Sequence, residues 1–146
     1  MRHLKRTIAF IAMLAMSIAC VGPVYAANSV NKPEASPTLI SYAVWLEPGT
    51  KSGELRVTFD VTAAGRADRL GVSYFEIHKA SNGELVDTVY GTTSNGLVSS
   101  GFSYTYTYSY TGATPGVKYY AVVSVFAEIL PDFDSRTLRT VSVEAP

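Results

Sequence analysis

One cysteine, two histidines, one tryptophan and three methionines are all that 146 residues hold of these types, and charged side chains make up only 16% of the chain. Each scarcity excludes something. A single cysteine cannot form a disulfide framework. A zinc site needs three or four Cys, His or carboxylate ligands, and there is almost no Cys or His to supply them. Lys and Arg number 12 against 12 acidic residues and form no long run, so the net charge of +0 offers no surface for nucleic acid. Neither the Gly-x-Gly-x-x-Gly nor the Walker pattern occurs, which leaves nucleotide binding without support. What remains is apolar: 47% of the residues are hydrophobic and 12% aromatic, too many for a disordered chain. The length suits one ordinary domain.

The N-terminus reads as an export signal. Arg2, His3, Lys5 and Arg6 form a positive region, Ile8 to Ala19 an apolar run, and Val24-Tyr25-Ala26 a small-residue cleavage site. The run is short of the roughly 20 residues that a membrane-spanning helix needs. Ile18-Ala19-Cys20 ends like a lipidation box, but Ser17 stands where that motif wants leucine. Residues 1–26 are therefore expected to be a signal peptide, which predicts a secreted, extracellular protein without stable membrane insertion. Its removal would take Cys20 and every methionine, leaving His78 and a formal charge of −3 from nine basic and twelve acidic residues. No anchor motif precedes Pro146, so release or loose surface association is expected.

Residues 27–37 hold two prolines and no apolar period and read as a flexible leader. From Thr38 the apolar period is two. Strands are expected at 38–46, 54–63, 70–79, 84–90, 102–110, 117–128 and 136–143. Turn signals separate nearly all of them: Glu47-Pro48-Gly49, Ser81-Asn82-Gly83, Ser94-Asn95-Gly96, Thr114-Pro115-Gly116, and Pro131 with Asp132. Seven short strands at this spacing predict an all-β domain over 38–146, a two-sheet antiparallel sandwich.

At Pro115-Gly116-Val117-Lys118-Tyr119 the chain resembles fibronectin type III and related immunoglobulin-like domains. These enter their sixth strand with Pro-Gly-x-x-Tyr and then alternate apolar residues, as Ala121, Val123, Val125 and Ala127 do here. The resemblance implies that Tyr119 is a structural corner, its ring inward and its hydroxyl on nearby backbone. It departs at Trp45, which falls in the first strand, whereas the family puts its core tryptophan in the second. As a whole the chain also resembles small exported proteins of Gram-positive gut bacteria, a likeness that carries no activity.

Chemistry is thinly represented. His78 lacks a nucleophile-elbow motif and reads as a surface residue of a hairpin. Glu128, Asp132 and Asp134 gather around what reads as a loop, where they could hold calcium or act as an acid pair on glycosides. They read more simply as a polar turn. No catalytic residue, cofactor or metal is expected.

The segment Phe102-Ser103-Tyr104-Thr105-Tyr106-Thr107-Tyr108-Ser109-Tyr110 alternates aromatic rings with small hydroxyls. In a strand its five rings would stand about 6.7 Å apart on one face. Most should pack in the core, yet a strand of about 30 Å exceeds what a small sandwich covers. Tyr104, Tyr106, Tyr108 and Tyr110 are thus the candidate ligand or partner face, with Tyr108 and Tyr110 expected to protrude. The function expected is a non-enzymatic extracellular binding or interaction module for a protein or glycan. A carbohydrate-binding module stacking sugars on tyrosines is the alternative, and a small secreted hydrolase a lesser one.

Overall fold

A computed structural model describes residues 37–146; the expected signal peptide and all of the leader except Pro37 lie outside the described residues. Seven strands follow in order: β1 (Leu39–Pro48), β2 (Leu55–Lys79), β3 (Leu85–Tyr90), β4 (Val98–Tyr110), β5 (Lys118–Ile129), β6 (Asp132–Arg139) and β7 (Val143–Glu144). All pairings are antiparallel. No helix long and apolar enough to cross a membrane occurs among the described residues.

The fold is organised by β2. The expected strands 54–63 and 70–79 are one strand of 25 residues. Residues 63–69 carry no Pro and no Asn-Gly pair, so nothing breaks the chain there. The pairing register with β4 instead shifts between Thr62 and Ala67 and again before Leu70. Such bulges bend a strand without ending it. The first half of β2 lies between β1 and the end of β4, while the second half lies between β3 and β5. Beyond β5 come β6 and the short β7. The seven strands thus form one continuous, curled antiparallel sheet.

One core lies inside the curl. Leu55, Val57, Phe59 and Val61 from the first half of β2 share it with Val72, Phe75 and Ile77 from the second. Ala121, Val123, Val125 and Ala127 of β5 complete it. Thr38 ties the two halves, its hydroxyl donating to the Ala127 carbonyl at 3.1 Å.

Other placements differ from expectation: β4 begins at Val98, not 102. The last long strand begins at Asp132, not 136, because Leu130 and Pro131 alone connect β5 to β6. Asp132 and Asp134 are consequently ladder residues opposite Ile129 and Ala127, not loop residues. Trp45 sits opposite Thr58 on the outward face, half-buried and outside the core cluster. Phe59 and Phe75 fill the interior instead.

Candidate functional site

The aromatic stripe faces inward. Tyr104, Tyr106, Tyr108 and Tyr110 lie opposite Val61, Phe59, Val57 and Leu55, which are all fully buried, so the rings share the core side of the sheet. Their centroids stand 5.6 Å (Tyr104) and 6.3 Å (Tyr106) from Phe59, and 5.3 Å (Tyr108) from Phe75. Three rings remain half-exposed because, among the described residues, β4 pairs with β2 alone. Tyr110 does not protrude: it is 7% exposed, whereas Phe102 at the opposite end is 64% exposed. The reason is local. Tyr110 sits where β2 begins, against Gly112, with Asp87 within hydrogen-bonding reach. Burial, and then the Asp87 carboxylate, raise its phenol above the ordinary range. Burial also raises Tyr104, whose hydroxyl donates to the Gly96 carbonyl at 2.6 Å.

Tyr119 is 1% exposed, and its hydroxyl accepts the Thr114 N–H at 3.0 Å across the Pro115-Gly116 turn. His78 is fully engaged. Nδ1 lies 3.1 Å from the Gly83 carbonyl and Nε2 3.0 Å from the Glu76 carboxylate, while the ring stacks on Tyr120 at 5.0 Å. The acidic group is dispersed: Asp134 pairs with Arg136, and Glu128 lies 3.6 Å from Arg69. Among the described residues no group of three or more His, Cys, Asp or Glu could hold a metal ion.

A different surface gathers exposed rings and polar groups: the outward face of β3, the second half of β2, β5 and β6. Two outward rings of β5 are roofed by cations. The Arg139 guanidinium lies 3.7 Å above Tyr120, and that of Arg69 5.6 Å from Phe126, which also stacks on Phe133 at 5.8 Å. With the His78 ring on Tyr120 and the Phe133 ring on Phe126, these cations account for the burial of two rings that point away from the core. Beside them opens a cleft of about 170 Å3 lined by Arg69, Ser73, Gly91, Val98, Phe126 and Phe133. Gly91 is required there, since a Cβ would stand 1.8 Å from the Val72 carbonyl oxygen. Phe133 is 59% exposed at the cleft, and Tyr90, next to Gly91, is 71% exposed. Arg69 also borders a second hollow with Asp68, Thr93, Ser99 and Ser100.

Such a site presents flat apolar faces, one cation and several hydroxyls, a composition suited to holding a ligand. The sequence gives little sign of it. Its residues come from five strands, and the apolar run of 117–127 reads as a strand covered on both faces. Alternation along β5 separates outward Tyr120 and Phe126 from inward Ala121 and Val125, but not what lies over them. No family model, no curated protein and no solved structure matches the chain. Fold and site define an all-β antiparallel domain with an aromatic, cation-bearing outer face.

Proposed function

We propose that this protein is a secreted, non-enzymatic binding module. Its fold, in this reading, is a two-sheet immunoglobulin-like sandwich of the fibronectin type III kind, and its ligand face is the outward face around Arg69. Strand arrangement supports the sandwich. The bend in β2 separates a β1–β2–β4 half from a β3–β2–β5–β6 half, and the two inner faces supply one core. Counting the halves of β2 separately makes β5 the sixth strand, and it opens with the buried tyrosine whose hydroxyl meets upstream backbone.

The observation that carries the function is the placement of Tyr90 and Phe133. Phe133 lines the cleft together with Arg69, and Tyr90, the chain neighbour of lining Gly91, is also largely exposed; exposed rings of this kind mark an interaction surface. A protein partner is the leading reading. The flat, solvent-facing rings flanked by Ser73 and Arg69 favour a glycan as the second, since sugar rings stack on such faces. Capture of the purified protein on insoluble glycans and on immobilised extracellular proteins tests both. Phe133→Ala and Tyr90→Ala should each weaken capture by about 1 kcal/mol or more while leaving the melting temperature nearly unchanged. Capture that neither substitution reduces would refute this face as the binding site.

A further inference from the structure

The four edges of the curled sheet are not equally protected against pairing with another chain. β1 carries a bulge between Leu39 and Ser41 and ends in Glu47 and Pro48. β3 has six residues with Asp87 among them. β6 bears Asp132, Asp134, Arg136 and Arg139. Bulges, short length, prolines and charges are the devices that keep edges apart. β4 has none of them over 102–110. It contains no charge and no proline, and its register with β2 runs unbroken from Ser103 opposite Thr62 to Tyr110 opposite Leu55. Among the described residues no backbone hydrogen bond reaches its second edge.

The same segment is a palindrome. Read outward from Tyr106, Thr105 answers Thr107, Tyr104 answers Tyr108, Ser103 answers Ser109, and Phe102 answers Tyr110. Antiparallel pairing about a two-fold axis at Tyr106 would therefore set ring against ring on the inner face and hydroxyl against hydroxyl on the outer. Isologous interfaces require this self-complementarity, and cross-strand aromatic pairs stabilise a ladder. We propose that β4 is a self-association edge: two copies of this chain pair antiparallel through residues 102–110, joining their sheets into one.

Charge permits it. The charged groups nearest that outer face are Glu54, whose carboxylate meets the Ser109 hydroxyl at one end, and Arg56 and Asp60 of β2, opposite Ser109 and Thr105. The two-fold reverses their order in the second copy, so each Arg56 faces the end of the partner nearer Asp60, three strand spacings away, about 14 Å. That exceeds a Debye length at physiological salt, so the flanking charges add little and oppose nothing. Half-exposed Tyr104, Tyr106 and Tyr108 would gain cover along the side the monomer leaves open. The contact is small: about 30 Å of strand by about 10 Å of sheet thickness gives on the order of 600 Å2 over both copies. Stable interfaces bury more than about 1,200 Å2, so the dimer is weak and reversible. This pairing stands apart from the Arg69 face and does not depend on it.

Sedimentation velocity over a concentration series tests the proposal. The unmodified protein should pass from monomer to dimer with a midpoint at about 100 μM. Thr105→Lys with Thr107→Lys places like charges opposite each other twice and should weaken dimerisation at least about tenfold. Thr105→Lys with Thr107→Glu places opposite charges there instead and should keep it within about threefold. Amide exchange on the unmodified protein, dilute against concentrated, reads the contact without substitution and should show new protection confined to 102–110. A monomer up to about 1 mM would overturn the proposal and leave the edge for a foreign strand. Equal behaviour of the two double variants, or protection elsewhere, would overturn it as well.

Discussion

Tyr119 allows the sharpest test of how the fold is held, because its ring and its hydroxyl can be removed separately. The hydroxyl accepts one bond, from Thr114 N–H at 3.0 Å, and Thr114 is itself exposed. Water can therefore replace the lost acceptor in Tyr119→Phe, which keeps the cost near the net value of a hydrogen bond, about 1 kcal/mol. The upper range for a stranded buried donor does not apply. Tyr119→Ala removes a ring that is 1% exposed in the core and leaves a cavity, at about 3–5 kcal/mol. With a urea slope of about 1.5 kcal/mol per molar, the midpoint should fall by about 0.7 M for Phe and by about 2–3 M for Ala. Equilibrium unfolding followed by tryptophan fluorescence of Trp45 supplies the assay. Equal shifts in the two variants, or negligible shifts in both, would show that Tyr119 is not a buried corner residue with a separable hydroxyl contribution.

Two further outcomes follow from the same packing. Tyr110→Ala should destabilise by about 3 kcal/mol or more through cavity formation, whereas Phe102→Ala should stay within about 0.5 kcal/mol, as exposed positions do; thermal melts of the pair would contradict the assignment if Phe102 proved the costlier. Glu54 is held below the ordinary carboxylate range, first by the Ser109 hydroxyl and then by the backbone N–H groups of Lys51 and Thr50. A depressed carboxyl contributes stability that is present above its unfolded pKa and lost as pH falls through the folded one. Glu54→Gln should therefore lower stability at neutral pH and flatten the acid limb of a stability–pH curve. An acid limb unchanged by the substitution would remove Glu54 from that role.

Much of the chain's local structure is set by the sequence itself. Alternation at Leu55, Val57, Phe59 and Val61 fixes a strand with one buried face, since a side chain every second residue points the same way. Gly83, at a φ of +74°, turns the hairpin between β2 and β3 where Ser-Asn-Gly announces it. The alternation of 102–110 fixes that its rings share one side. Tertiary structure decided what alternation cannot carry. Whether 54–63 and 70–79 are two strands or one depends on whether hydrogen bonds run through 63–69, and bulges leave no apolar period to read. Which end of the stripe is buried depends on Asp87 and Gly112 closing over Tyr110, while among the described residues nothing equivalent covers Phe102. Tyr120 is buried on an outward face because Arg139 and His78 cover its ring, and Phe126 because Arg69 and Phe133 lie against it, all from other strands. Periodicity tells a side chain which way to point; what it meets there is settled by strands that only folding brings alongside.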